Sequence, residues 1–180
     1  MTAKTNQPLL ETQRTLLRPL TVEDANDFFS LNLDPVVLQY TGDKPFADVQ
    51  SAHDFLSRYD QYEKYGVGRL AVIDKASLQF MGWCGLKYCP EKCEYDIGFR
   101  FYQKYWNNGF ATETAKRCLA YGFEELGIEK VVGRAMKQNV ASIKVLEKLG
   151  MSFQKVIDLD GEEGVVYEIY RERNSQIAKG

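Results

Sequence analysis

The residues of this chain best suited to chemistry lie in two adjoining stretches. In the first, Glu94-Tyr95-Asp96-Ile97-Gly98-Phe99-Arg100-Phe101, polar and apolar residues alternate. As a strand it turns Tyr95, Ile97, Phe99 and Phe101 to one side and Glu94, Asp96, Gly98 and Arg100 to the other. Two carboxylates on one face can take a proton from an amine or hold the amine in place. The second stretch, Gln103-Lys104-Tyr105-Trp106-Asn107-Asn108-Gly109-Phe110-Ala111, reads as a tight polar loop entering a helix. The first N–H groups of a helix have no partner within it, so such a loop can bind phosphate through backbone alone. Gly109 removes a side chain where a diphosphate would approach, and Ala111 keeps the next contact small. Together the stretches point to a phosphorylated cofactor whose reactive end lies beside the carboxylates. The plainer alternative is an ordinary strand-to-helix turn next to two solvated carboxylates.

The rest of the chain must position these residues. Residues 15–20 suit a first strand, and Thr21 with Asp24 resembles a capping pair ahead of a helix bearing Ala25, Phe28, Phe29 and Leu31. Residues 34–40 read as a short helix closed by Thr41-Gly42-Asp43-Lys44-Pro45. One long helix is expected over 48–62, with the stripe Ala52, Phe55, Leu56, Tyr59 and Tyr62, and with Gly66 and Gly68 beyond it. Strands follow at 69–74, 80–88 and 94–101. The helix entered at Gly109 carries Ala111, Ala115, Cys118, Leu119, Gly122 and Leu126 and runs to Gly127. A valine-rich strand covers 130–136. Asn139 opens a last helix, with Val140, Ile143, Leu146 and Leu149 inward and Gly150 as its stop. Residues 153–159 and 165–170 form a hairpin around Asp160-Gly161-Glu162-Glu163-Gly164. The strand–helix–strand unit over 94–136 requires a parallel pair with a right-handed crossover, whereas the hairpins are antiparallel. The expected fold is mixed α/β: a mostly antiparallel central sheet with one parallel pair and helices on both faces.

A chain of 180 residues fits one domain, here with its core over about 11–171 and a polar tail after Arg171 expected to fray. A hydrophobic fraction of 44% and a charged fraction of 27% are those of a soluble globular protein. A net charge of −2 argues against a surface that coats nucleic acid. No apolar run approaches the roughly 20 residues that span a membrane. The first ten residues carry no apolar signal segment, so a cytoplasmic location is expected. Cys84, Cys89, Cys93 and Cys118 then read as reduced thiols, and with His53 the only histidine their spacing matches no zinc pattern. Gly66-Val67-Gly68-Arg69-Leu70-Ala71 fits the dinucleotide fingerprint in letters alone, because a helix precedes it and a strand follows.

Several motifs in order carry a resemblance. The span from Ile97 to Met151 resembles the GNAT superfamily of N-acetyltransferases. That family's acetyl-CoA loop reads Q/R-x-x-G-x-G/A, and Trp106-x-x-Gly109-x-Ala111 matches it with Trp106 in place of the basic or amide first residue. The loop is similar to that of the branch containing ribosomal-protein N-terminal acetyltransferases of the RimJ and RimL kind. So are Asn139-Val140-Ala141-Ser142-Ile143-Lys144-Val145-Leu146-Glu147-Lys148-Leu149-Gly150-Met151 and the opening Glu11-Thr12-Gln13-Arg14-Thr15-Leu16-Leu17-Arg18-Pro19.

The resemblance implies acetyl-CoA as co-substrate, with its pantetheine arm between two splayed parallel strands. Backbone groups of Phe99, Arg100 and Phe101 would pair with the arm like an added strand. N–H groups of Trp106, Asn107, Asn108, Gly109, Phe110 and Ala111 would hold the diphosphate. Asn139 would bond the arm from across the cleft, unless it is only a helix cap. Asp96 aligns with the acidic residue of the family's Glu-Ile-Gly pattern and is the first candidate for base or amine anchor; Glu94 is the second. Many members carry a tyrosine on the last helix that protonates the leaving thiolate. Leu146 stands at that position, so Ser142 is the substitute to test, against the alternative that it serves only the helix's first turn. The implied acceptor is a primary amine, in the first instance the N-terminal α-amine of a ribosomal or other protein. A polyamine or aminoglycoside acceptor, or a non-catalytic acyl-CoA-binding module, remains open, as do monomer and homodimer.

Overall fold

In the computed structural model residues 9–172 are described; the polar residues before Leu9 and the tail from residue 173 lie outside them. The strands are β1 (Leu10–Glu11), β2 (Thr15–Pro19), β3 (Arg69–Asp74), β4 (Phe80–Cys89), β5 (Glu94–Phe101), β6 (Lys130–Met136), β7 (Ser152–Leu159) and β8 (Glu162–Tyr170). They form one sheet in the order β1-β2-β3-β4-β5-β6-β8-β7. Every neighbouring pair is antiparallel except β5 and β6, which are parallel. This is the mixed sheet expected, because the crossover between β5 and β6 contains the helix α5 (Phe110–Ala120).

Helices α1 (Ala25–Leu31), α2 (Pro35–Leu38) and α3 (Val49–Ser57) cover one face. Their core is Leu20, Phe28, Leu31, Val37, Leu56 and Phe80. Helices α5 and α6 (Val140–Lys148) cover the other, over Cys84, Ile97, Phe101, Ala115, Val131 and Leu146. Short polar side chains fix the helix starts. Asp34 accepts from Val36 N at 2.9 Å with Pro35 in the first turn, and Asp48 accepts from Ser51 N at 2.7 Å. No described helix is long and apolar enough to cross a membrane.

Three elements differ from expectation. The helix expected over 48–62 is two helices, α3 and α4 (Gln61–Tyr65). Two aromatic residues of its stripe serve the backbone of one residue: Tyr59 Oη accepts from Arg69 N at 2.9 Å, while Tyr62 Oη donates to Arg69 O and accepts from Leu20 N at 2.9 Å. Those bonds satisfy backbone groups at the start of β3. The helix from Gly109 widens after Ala120 into a π-helical turn, Tyr121–Glu125, where Leu126 N bonds Tyr121 O at 3.2 Å. Finally, the loop expected over 160–164 shrinks to Asp160-Gly161, both with positive φ, and β8 begins at Glu162. Asp-Gly suits a two-residue hairpin turn, and strand pairing is indifferent to the polarity of Glu162 and Glu163.

Tyr62→Phe removes one group that serves two backbone partners. It is expected to cost about 1–3 kcal/mol, read as a lower urea midpoint at unchanged slope.

Candidate active site

Parallel pairing of β5 with β6 covers only Tyr95↔Val131, Asp96↔Val132 and Ile97↔Gly133. Beyond that point β5 continues beside β4 as far as Phe101↔Gly82, and β6 continues beside β8 as far as Met136↔Gly164. The two strands therefore part, each held by its outer neighbour, and a wedge opens between them. Tyr102 N donates to Met81 O at 3.1 Å. By the alternation of an antiparallel ladder, Phe99 and Phe101 then present their backbone N–H and C=O to the wedge, while Arg100 presents its own to β4. Trp106 Nε1 already donates to Phe101 O at 2.7 Å. Of the three residues expected to pair with an extended ligand, Phe99 offers both backbone groups and Phe101 its N–H.

At the open end of the wedge the chain makes a turn at Gln103–Tyr105 and enters α5. Asn107 has φ 59° and Gly109 φ 80°, the left-handed region that glycine occupies without strain. Glu113 N bonds Gly109 O at 2.9 Å, so the N–H groups of Phe110, Ala111 and Thr112 precede the first helical hydrogen bond. Gly109 occupies the N-cap and supplies no side-chain cap. Asn108 Nδ2 turns back to Trp106 O at 2.8 Å. Trp106 through Gly109 are exposed, so an anion can reach these N–H groups from solvent.

Glu94, Asp96, Gly98 and Arg100 share the opposite sheet face from Ile97 and Phe101, as their alternation requires. Neither carboxylate stands alone. Arg69 reaches from β3 across Gly85 and Gly98 to bond Asp96 Oδ1 and Asp96 O. A β-carbon at residue 98 would stand 2.7 Å from Arg69 Cζ, which explains the glycine after Asp96-Ile97. Arg134 from β6 bonds Glu94 and approaches Asp96 at 3.5 Å. Lys130 lies 3.6 Å from Glu94 and 3.9 Å from Glu168. Arg100 bonds Asn32 at the end of α1 and Asp43 in the following loop. Four cations thus meet four carboxylates, Asp43, Glu94, Asp96 and Glu168. Partial burial opposes ionisation of Glu94, but the hydrogen bond and charge of Arg134, with Lys130, outweigh it and hold the carboxyl below its usual range. Trp83 lies between Arg69 and Arg100, 5.4 and 5.2 Å from its ring. Two buried donors on this face, Trp83 Nε1 and Arg134 Nε, have no acceptor among the described residues.

On the other face, Asn139 caps α6 by accepting from Ser142 N at 3.1 Å. Both residues stand at the open end of the wedge, since Asn139 N bonds Met136 O at 2.9 Å. The sheet therefore separates Ser142 from Glu94 and Asp96, and the two sets can meet only on a ligand that passes through the wedge. Leu146 is 1% exposed and packs on Gly133, beside the apex. Arg69 and Arg134 are absent from the sequence-based candidates. No local motif marks them; the one signal is the pair Gly85 and Gly98, whose missing side chains make room for Arg69.

Residues 14–152 match the family model described as acetyltransferase (GNAT) domain. The Bacillus subtilis protein YkkB, uncharacterised, is 35% identical over 93% of this chain and 97% of its own. An Aspergillus fumigatus protein named FsC-acetyl coenzyme A-N(2)-transacetylase is 32% identical over 81% of this chain and 66% of its own. Among solved structures, a GNAT-family acetyltransferase from Bacillus anthracis superposes with a TM-score of 0.77 at 25% identity, covering 91% of this chain and 99% of that one. The parted strands, the helix-entry loop and these relatives agree: the chain belongs to the GNAT family and is an acetyl-CoA-dependent N-acetyltransferase that acts on an amine.

Proposed function

We propose that the acceptor is the N-terminal α-amine of a protein. The observation that carries this is the charge balance on the carboxylate face. Asp96 and Glu94 are each matched by arginine, and the surplus there is of hydrogen-bond donors, Trp83 Nε1 and Arg134 Nε. A polyamine brings further positive charges and would need unmatched carboxylates. An α-amine is followed by a carbonyl oxygen, which suits unmatched donors. Basicity points the same way. Deprotonating an amine of pKa ~10.4 at pH 7 costs about 4.6 kcal/mol, against about 1–1.4 kcal/mol at pKa ~7.7–8. A carboxylate acting through water suits the second case better than the first. A small-molecule amine is the second reading, favoured by relatives named for spermidine acetylation.

In this scheme the pantetheine arm runs through the wedge against Phe99 and Phe101, with Asn139 across from it. The diphosphate lies on the N–H groups from Trp106 to Ala111. Asp96, with Glu94 behind it, orients the amine and takes its proton through water. The amine nitrogen attacks the thioester carbonyl carbon, a C–N bond forms as the C–S bond breaks, and Ser142 gives the thiolate a proton. With Leu146 buried, no side-chain hydroxyl stands at the position the family pattern reserves for tyrosine.

Thiol release with acetyl-CoA should be faster with N-terminal peptides than with spermidine or an aminoglycoside, and Asp96→Asn should lower the peptide rate about 100-fold or more. A polyamine preference would instead support the second reading. Ser142→Ala is expected to reduce kcat more than it weakens acetyl-CoA binding; unchanged turnover would rule out the acid role. Glu94 also predicts a pH effect on stability. Its folded pKa is depressed, so its contribution is present above its unfolded value, about 4.3, and is lost as pH falls through the folded value. The stability gap between wild type and Glu94→Gln, from urea melts, should therefore be constant near neutrality and narrow below about pH 4.3.

A further inference from the structure

Trp106 stands where the family pattern has a basic or amide residue, and its indole N–H is spent on Phe101 O at 2.7 Å. The loop has thus lost a polar side chain at the point where a diphosphate would lie. A cation reaches the same point from elsewhere in the chain. Arg14, in the turn between β1 and β2, lays its guanidinium over the Phe110 ring, 3.9 Å from the centroid. It is also the group nearest the open side of Gly109, where Nη2, the nitrogen that also pairs with Glu113, lies 3.6 Å from where a β-carbon would sit. The turn that carries it is pinned by Thr12, whose Oγ1 accepts from Arg14 N at 3.3 Å and from Thr15 N at 3.0 Å.

Glu113 fixes the orientation of this arginine. Its carboxylate accepts from Arg14 N at 3.1 Å and Arg14 Nε at 2.8 Å, and the second guanidinium nitrogen lies 2.6 Å away. The remaining guanidinium nitrogen, Nη1, makes no hydrogen bond among the described residues. A guanidinium held beside the positive end of α5 is unfavourable for the helix dipole unless anions gather there. Glu113 is one such anion, and it takes the Nε–Nη2 edge, which leaves Nη1 and the outer N–H of Nη2 for another. We propose that the second is the diphosphate of acetyl-CoA, and that Arg14 supplies the loop with the cation that the Trp106 position lacks. The opening segment of the chain and the loop after β5, remote in sequence, would then form one phosphate site. Charge-assisted, forked geometry of this kind is worth about tenfold in affinity.

Calorimetric titration with CoA and with pantetheine, which lacks the diphosphate and nucleotide, tests this. Arg14→Gln should weaken CoA about tenfold and leave pantetheine unchanged. Glu113→Gln keeps the cation but loosens its orientation, and should weaken CoA clearly less than Arg14→Gln does. The proposal is overturned if both variants weaken CoA equally, if Arg14→Gln weakens pantetheine as much as CoA, or if it weakens neither. Arg14→Lys serves if the glutamine variant does not fold: it keeps the charge and loses the fork, so CoA should weaken about two- to fivefold, and full affinity overturns the proposal. The inference rests on the loop holding the diphosphate, and Asn108→Asp tests that separately. An added carboxylate there should weaken CoA and spare pantetheine; unchanged CoA affinity would mean that the loop assignment itself has failed.

Discussion

Backbone N–H and C=O groups inside a protein have to be satisfied, and β5 and β6 break that rule on purpose past Ile97 and Gly133. Each strand is paired on its outer side, β5 with β4 and β6 with β8, so neither can drift inward to close the gap. The groups left over on Phe99 and Phe101 define a strand-shaped vacancy that an extended ligand arm can fill. The protein closes one of them itself, through Trp106 on the Phe101 carbonyl. The other structures around the site follow from this parting. The crossover needed to return a parallel strand supplies a helix, and the start of that helix stands at the open end of the wedge.

Electrostatics divides the site into two unlike halves. At the open end, backbone N–H groups and the guanidinium of Arg14 concentrate positive potential with Glu113 as the nearby counterweight. On the carboxylate face, charges are matched one to one, and two donors, Trp83 Nε1 and Arg134 Nε, have no acceptor among the described residues. That match depends on how firmly Arg69 is placed. Its backbone is held by the hydroxyls of Tyr59 and Tyr62, and its side chain lies in space left by glycine at residue 98. Tyr59, just after α3, and Tyr62, in α4, are thus part of the site's construction.

Much of the fold could be read from patterns local in sequence. Alternation from Glu94 to Phe101 separates the core face from the carboxylate face, and the helix stripes, caps and glycine stops place most elements to within a few residues. The turn from Trp106 to Ala111 into a helix is legible because it depends on contiguous backbone. Side chains gave less away. The spacing of Tyr59 and Tyr62 fits one continuous helix, yet Tyr59 lies between two helices and both hydroxyls serve the backbone of Arg69. Glu94 and Asp96 were visible as a pair, but the arginines that bind them come from β3 and β6 and carry no mark of that task.

The sequence by itself determined the periodicities, hence the strands, the helices, the parallel crossover and the backbone loop, because each depends on neighbours along the chain. Only the tertiary structure decided which charges meet. Arg69 and Asp96, Arg134 and Glu94, and Arg14 and Glu113 are separated by tens of residues. Their pairing is set by the order of strands in the sheet and by glycines that let a side chain lie flat, and Coulombic attraction falls with distance in space, whatever the distance in sequence.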